Sequence, residues 1–163
     1  MISFAMWLEG TSLSRFVIHY AWVWPTMETL HFIGLALLVG NIGVLDLRLL
    51  GMAKALPVAP FHRLVRYGVY GFIINMVTGI LFFVGRPLQY VDNPAFGFKM
   101  LFVVAAGVNV ALFKLTGVAR TCDLLGPWED APGPAKVIAA TSLLLWIGVM
   151  FWGRMLPYLG NSF

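Results

Sequence analysis

Long apolar segments alternate with short polar ones along the chain, and the apolar segments determine the predicted fold. Four of them are longer than 20 residues, at 25–50, 61–84, 94–116 and 135–156. Since a helix rises about 1.5 Å per residue, each segment can cross a hydrocarbon core of about 30 Å. The pattern therefore predicts four transmembrane helices.

Prolines and glycines mark the predicted helix ends. Proline suits the first turn of a helix, where its missing N–H costs nothing, and glycine suits the position after the last turn. Pro25 begins the first segment and Gly51 follows it. Asn93 and Pro94 supply a capping residue and a first-turn proline for the third segment, and 132–134 precedes the fourth.

The residues before Pro25 are too interrupted by polar groups to span a membrane. Thr11 or Ser12 can cap a short helix over 11–23. Its predicted apolar side carries Phe16, Val17, Tyr20 and Trp24. Tryptophan prefers the headgroup level, so this segment is predicted to lie in the membrane interface as an amphipathic helix.

Composition supports a membrane location. Hydrophobic residues make up 60% of the chain and charged residues 11%, whereas a soluble domain carries about 25% charged residues. The single cysteine, Cys122, excludes an internal disulfide. The predicted fold is all-α: one domain over 1–163, an integral membrane four-helix bundle with an N-terminal interfacial amphipathic helix.

Positive charge is unevenly divided between the two sides of the predicted bundle. Seven lysines and arginines lie in or beside the connections after the first and third spans, and four lie on the other side. Because cytoplasmic loops are the positive ones, both termini are predicted to face the periplasm from a bacterial inner membrane. The net charge of +4 reflects this asymmetry, so no nucleic-acid partner is expected. The expected partners are the lipid bilayer and a larger membrane complex or a second copy of the chain.

Small and polar positions predict how the spans associate. Asn41, Asn75 and Asn109 lie near the middle of their spans and are expected to face inward, bonded to one another or to backbone. Small residues in the second span predict close helix packing. This stripe includes Gly68, Gly71, Thr78 and Gly79.

Two charged residues close the first span. Asp46 and Arg48 are two positions apart and point in different directions, so each is expected to pair with another helix or loop. Arg48 is further expected to extend toward the lipid headgroups. The proline- and glycine-rich loop 117–135 is the longest connection and a candidate docking surface for a soluble partner.

Glu28 and His31 are the residues best placed for chemistry. They are three positions apart and share one helix face near the interface, where ionisable groups are expensive and are functional candidates. A purely structural alternative is a pair between them, or a bond from Glu28 to Lys99, Arg86 or Arg154 on the same side.

Haem b is one interpretation of this segment. His31 could ligate iron through its imidazole, as in membrane cytochromes of the b type. His62 cannot be the opposite ligand because it begins the second span, about 25 Å away by helix rise. A methionine such as Met100 or Met150 would be the opposite ligand.

A quinone site and copper handling are the other two interpretations. His31 and Glu28 can bond quinone carbonyls and exchange protons, with Trp146 lining the pocket. Lys99 and Arg154 would balance charge there. For copper, thioether and imidazole ligands suit Cu(I), although methionine is also a common gap filler. The histidine and methionines predicted at that end are His31, Met27, Met100, Met150 and Met155.

The segments 24–34 and 46–51 carry a resemblance to a known family. With Asn93-Pro94-Ala95-Phe96 and Gly153-Arg154, they resemble an uncharacterised bacterial family of small four-helix membrane proteins, over almost the whole chain. This resemblance implies the fold and no particular activity. A weaker likeness, a histidine followed by glycine in an apolar helix, is to copper-resistance membrane domains and b-type cytochrome bundles.

The sequence therefore predicts a small inner-membrane subunit that binds haem or quinone near the periplasmic face in electron transfer. The alternatives are a non-catalytic accessory or anchor subunit of a larger membrane complex, and copper handling. No nucleophile–base constellation or phosphate-binding glycine loop occurs, so no stand-alone catalysis is expected.

Overall fold

Eight helices make up the computed structural model, which describes residues 2–159 apart from the side chain of His62. In chain order they are α1 (Ile2–Glu9), α2 (Ser12–His19), α3 (Val23–Leu49), α4 (Phe61–Gly85), α5 (Pro87–Val91), α6 (Pro94–Leu115), α7 (Val118–Asp123) and α8 (Gly133–Met155). The helices α3, α4, α6 and α8 are long and apolar enough to cross a membrane. No strand occurs in the described chain, and the predicted all-α four-helix bundle is confirmed.

The long helices begin and end within two residues of the predicted positions. Asn93 caps α6 as expected, because its side chain accepts a hydrogen bond from the Ala95 N–H at 2.9 Å. The two ends of the bundle are named here by what they carry. The terminal end holds α1, α2, α5 and residue 159, and the loop end holds the connections 50–60 and 116–132.

The N-terminal region differs from its prediction in extent. Thr11 caps α2, but that helix ends at His19, and a further helix, α1, precedes it. Ser14 and Val17 are the buried residues of α2, whereas Phe16 and Tyr20 are exposed. The face of α2 that carries Ser14 and Val17 packs against the end of α4 because the residues there are small. The Ser14 hydroxyl donates to the Gly85 carbonyl, and Val17 packs where Gly85 has no side chain.

The four long helices form two tight pairs. Helix α3 packs along α4, α6 packs along α8, and α3 joins the pairs by packing on α8. The backbones of α4 and α6 do not come within 8 Å (Cα–Cα) of each other in the described chain. Side chains fill part of this separation at the terminal end, where the Phe83 and Phe96 rings stack 5.7 Å apart.

Glycines set the spacing within each pair. A Cβ added to Gly71 would lie 2.5 Å from the Gly34 carbonyl oxygen and 2.6 Å from the Leu38 nitrogen, so the backbones of α3 and α4 touch there. In the other pair, the Phe102 ring of α6 lies directly on Gly148 of α8. The small-residue packing predicted around Gly71 is confirmed.

All three intramembrane asparagines bond to backbone, as predicted. Asn41 and Asn75 donate to the carbonyls four positions earlier in their own helices, at 2.6 and 2.9 Å. Asn109 donates across the bundle to the Ile138 carbonyl of α8, at 3.0 Å. Only the Asn109 bond therefore ties one of these amides to a neighbouring helix.

Arg48 holds the loop end together from inside. Its side chain is 0% exposed, so the predicted extension toward headgroups is wrong. Nε donates to the Leu56 carbonyl at 2.5 Å, Nη2 donates to the Gly126 carbonyl at 3.0 Å, and both terminal nitrogens donate to the Glu129 carbonyl at 3.3 Å. The two connections fold over the end of α3 and supply acceptors that headgroups would otherwise provide. Arg48 does bind loops, as the sequence predicted.

Asp130 joins the same connections at the surface. Its carboxylate lies 2.8 Å from the Lys54 ammonium and 3.3 Å from the Lys136 ammonium. Hydrogen bonds from Lys54 and Lys136 hold the pKa of Asp130 below its ordinary value. The contribution of this carboxylate to stability is therefore present above the ordinary carboxyl pKa and is lost as the pH falls through the lowered pKa.

Replacing Asp130 by asparagine is expected to lower the melting temperature slightly at neutral pH and not at all in acid. The effect is small because the carboxylate is exposed to solvent and screened by salt. Thermal melts of both proteins across the pH range, at low and high salt, measure it. A difference between the proteins that persists in acid would contradict this assignment.

Candidate functional site

His31 lies on the face of α3 that meets α4, in the half of the bundle nearer the terminal end. Its Nδ1 is 2.7 Å from the Thr78 hydroxyl oxygen, and that oxygen is 2.7 Å from the Ile74 carbonyl. A hydroxyl has one hydrogen, and the Ile74 carbonyl is placed to accept it. With the hydrogen on that bond, the Thr78 oxygen accepts from His31 Nδ1–H, and Nε2 is left as an acceptor.

The space around the His31 ring is shaped by one aromatic and one missing side chain. The Phe82 ring lies edge-on to the imidazole, 5.6 Å between centroids. Gly79 has no side chain next to the ring, and a Cβ added to Gly79 would lie 4.0 Å from His31 Cε1. Among residues 2–159, nothing hydrogen-bonds to Nε2. The ring is thus fixed at one nitrogen and available at the other.

Lys99 supplies a positive charge from the other helix pair. It is half-buried in α6, and a Cβ on Gly153 of α8 would lie 3.6 Å from its Nζ. Lys99 lies close enough to His31 to interact with it electrostatically. In the described part of the chain its ammonium has no ion pair and no hydrogen bond. An intramembrane cation without a counter-ion is costly and marks a functional candidate.

Glu28 does not join His31. Its exposed carboxylate accepts a hydrogen bond from the Trp24 indole N–H at 3.1 Å, and the Arg86 guanidinium lies over the same indole, 5.7 Å from the ring centroid. Burial raises the pKa of Tyr90 to about 12. The positive charge of Arg86 acts to lower this pKa and the negative charge of Glu28 acts to raise it, and burial has the largest effect. Glu28 therefore belongs to a surface cluster with tryptophan and arginine.

The remaining predicted site residues are dispersed. Arg154 is exposed and donates to the Tyr158 hydroxyl at 3.4 Å. Trp146 is buried at the centre of the bundle, in a cluster with Leu38 and Val149. The side chains of Met100 and Met150 are exposed, and Met27 is buried in the cluster formed with Val17 and Val23.

Of the predicted residues, His31 and Lys99 are close enough to interact electrostatically, and the structure adds Thr78 as the hydrogen-bond partner of the histidine. The sequence marked Thr78 only as part of a small-residue stripe. The position of Thr78 on that stripe was the only indication in the sequence that it faces another helix. Nothing in the sequence indicated that it would contact His31, 47 positions earlier. Within residues 2–159, no three His, Cys, Asp or Glu side chains lie close enough to hold a metal ion together.

The class of protein follows from these features: an all-α, multi-pass membrane protein with a half-buried histidine in one helix pair and a half-buried lysine in the other. The chain matches no protein-family model, and it matches no curated protein and no solved structure.

Proposed function

We propose that the protein binds the headgroup of a membrane quinone or quinol between its two helix pairs, near the terminal end. The observation that carries the proposal is the pair of 2.7 Å distances from the Thr78 hydroxyl oxygen to His31 Nδ1 and to the Ile74 carbonyl oxygen. They favour the tautomer in which Nδ1–H donates to Thr78 and Nε2 is an acceptor. A quinol hydroxyl is a suitable donor to that nitrogen.

Lys99 complements the histidine. A quinone carbonyl is an acceptor for its ammonium, which has no acceptor among the described side chains. Gly79 and Gly153 put no side chain against the imidazole and the ammonium, and Phe82 offers an apolar ring. One donor and one acceptor in an otherwise apolar site suit a small ring with two oxygens.

In this proposal the chain is a small subunit of a bacterial inner membrane with both termini in the periplasm. The positive loop end would face the cytoplasm, which places the site near the periplasmic face. Oxidants and reductants would come from a larger membrane complex, because the chain supplies no redox group of its own among its side chains. A homo-oligomer is the alternative assembly.

Haem b is a second candidate, and one specific observation favours it. Histidines that ligate metals donate their other ring N–H to a neighbouring group, as His31 does to Thr78. His31 Nε2 would then hold the haem iron, and the bound haem would supply electron transfer. Copper handling and a purely accessory role stay predictions from the sequence.

The test is quinone binding by the purified protein in lipid nanodiscs. Short-chain ubiquinone and menaquinone analogues are titrated while tryptophan fluorescence is recorded, and lipid extracts are analysed for copurified quinone. His31→Ala and Lys99→Met are each expected to weaken binding by at least about tenfold, because each removes a hydrogen bond in a site of low dielectric. Glu28→Gln and Arg154→Gln are matched controls at the surface and are expected to leave affinity unchanged.

Three results would separate the alternatives. Absorption bands that sharpen on reduction with dithionite, and that His31→Ala abolishes, would replace quinone by haem b. Equal quinone affinity in the wild type and in folded His31→Ala and Lys99→Met variants would overturn the site. Loss of complex assembly in these variants, with no cofactor bound by the wild type, would favour the accessory role.

Thr78→Val is expected to weaken quinone binding by about tenfold without unfolding the protein, because the variant keeps the shape and loses the acceptor for His31 Nδ1–H. Thr78→Ser should restore most of the affinity. Thr141→Val, at an exposed position of α8, is the control. Equal affinities for Thr78→Val and Thr141→Val would show that the hydroxyl does not orient the histidine.

A further inference from the structure

A second polar site lies at the loop end, and the proposed function does not use it. Asp46 of α3 is 5% exposed, and its Oδ2 is fully buried without a hydrogen-bond partner in the described structure. The side-chain partner of its carboxyl group is the hydroxyl of Ser142 on α8, itself 5% exposed. The carboxyl group is 15 positions from His31, about 22 Å by helix rise, so it is separate from the quinone site.

Among the described side chains, no cation forms an ion pair with this carboxyl group. Arg48 is two positions away, but its guanidinium donates to the carbonyls of Leu56, Gly126 and Glu129. The nearby ammonium groups, those of Lys54 and Lys136, bind Asp130 at the surface.

The surroundings of Asp46 are apolar. Leu49 is one turn further along α3 and belongs to a buried cluster with Cys122 of α7. On α8 the same cluster contains Ala135 and Ala139, which share the buried face that carries Ser142. The thiol of Cys122 is neutral at ordinary pH, since burial and the nearby Asp123 raise its pKa. An isolated ionised carboxylate in such surroundings would be very costly.

Three partners could satisfy the orphaned oxygen: a metal ion, a water molecule or a proton. A metal ion such as Na⁺ needs several oxygen ligands, and here the side chains offer only the carboxyl group and one hydroxyl. A proton needs one oxygen. With Oδ2 carrying the hydrogen, the other carboxyl oxygen can still accept from the Ser142 hydroxyl, and the buried charge disappears.

We propose that Asp46 and Ser142 form a proton-binding site that exchanges protons with the loop side of the membrane. The step is the reversible transfer of one proton between water and the Asp46 carboxylate, with no electron and no second ion. Asp46 is three residues from the end of α3, about 4.5 Å by helix rise, so the path to the loop side is short.

A hydrophobic carbodiimide tests the proposal, because this reagent needs a carboxylic acid rather than a carboxylate. The acid proton moves to a carbodiimide nitrogen while the carboxylate oxygen bonds to the central carbon, and rearrangement leaves a stable acylurea with the full mass of the reagent. Intact protein in detergent is treated with dicyclohexylcarbodiimide at several pH values, and the adduct is located by peptide mass spectrometry. The expected adduct is on Asp46, decreases as the pH rises and is absent from Asp46→Asn. Exposed carboxylates such as Asp130 are the internal control.

Infrared spectroscopy supplies a measurement that does not depend on access of the reagent. The wild type minus Asp46→Asn spectrum is expected to contain a carboxylic-acid C=O band that shifts in D₂O. Ser142→Ala should move that band by removing a hydrogen bond, whereas Thr141→Ala, at an exposed position, should not. The Ser142→Ala shift also tests the pair if Asp46→Asn does not fold.

Two outcomes would overturn the proposal. The absence of the infrared band at neutral pH would show an ionised carboxylate, whatever the labelling. Protection from the carbodiimide by Na⁺, but not by choline at equal ionic strength, would show a metal-ion site instead.

Discussion

Replacing Arg48 by methionine is expected to lower the free energy of unfolding by about 3 kcal/mol and to release both connections at the loop end. Three buried carbonyls, those of Leu56, Gly126 and Glu129, would lose their donor. Each unsatisfied buried acceptor costs about 1–3 kcal/mol. Removal of a buried charge offsets part of that sum, because desolvating a guanidinium is itself unfavourable.

Thermal unfolding in detergent, followed by tryptophan fluorescence and by proteolysis of the loops, measures this effect. Trp128 is a local reporter of the loop conformation. Its backbone N–H donates to the Lys54 carbonyl at 2.6 Å, and its backbone φ is 68°. That left-handed conformation is unusual for a bulky residue and needs the surrounding bonds to hold it. Without Arg48 the loops should become sensitive to protease well below the melting temperature.

Two further variants make the Arg48 prediction specific. Arg63→Met removes an exposed arginine of α4 and is expected to change stability by no more than about 0.5 kcal/mol. Arg48→Lys keeps the charge but not the planar set of donors, so it should be nearly as damaging as methionine. Unchanged stability in Arg48→Met would mean that water replaces the guanidinium at no cost.

The second large effect is expected from a single methyl group. Gly71→Ala should destabilise the bundle by about 2–3 kcal/mol, because the new Cβ would lie 2.5 Å from the Gly34 carbonyl oxygen and 2.6 Å from the Leu38 nitrogen. Both obstacles are backbone atoms, which cannot rotate away as a side chain can. Helices α3 and α4 would have to separate along their contact.

Gly107→Ala in α6 is the matched control, since a Cβ there meets no atom within 4 Å. Alanine is the better helix former, so this variant should be neutral or more stable by up to about 1 kcal/mol. The two variants carry the same chemical change and are predicted to differ in sign. Melting temperatures in one detergent decide the question, and equal shifts would show that α3 and α4 are not in backbone contact.

The arrangement of the helices explains why a site can exist in so small a bundle. Close glycine contacts bring α3 against α4, and the Phe102–Gly148 contact brings α6 against α8. The backbones of α4 and α6 stay apart in the described chain, and the two pairs meet where α3 packs on α8. His31 and Lys99 come from opposite pairs, so a ligand held by both would also bridge the pairs.

Some candidate residues could be named from the sequence because the cost of burying them is visible without a structure. A histidine and a lysine inside apolar segments are expensive to bury, which marked His31 and Lys99, whereas Asp46 was predicted only to pair with another helix or loop. Their partners were not visible. Glu28 is as close to His31 in sequence as a helix neighbour can be, yet it bonds to Trp24, while the partner of His31 is on another helix.

The sequence by itself determined the membrane class, the four spans and their ends, because hydrophobic length, proline and glycine act locally along one helix. It also predicted that the asparagines would bond to one another or to backbone, since an amide in hydrocarbon needs a partner, and the structure shows the backbone bonds. Only the tertiary structure decided that Arg48 is buried and not at the headgroups, and that Thr78 orients His31. The orphaned oxygen of Asp46 likewise came from the tertiary structure. These outcomes depend on which helix faces meet and on where the connections fold. Helical periodicity in a sequence shows which side of a helix carries polar or small residues, but it does not show which residues pack against that side.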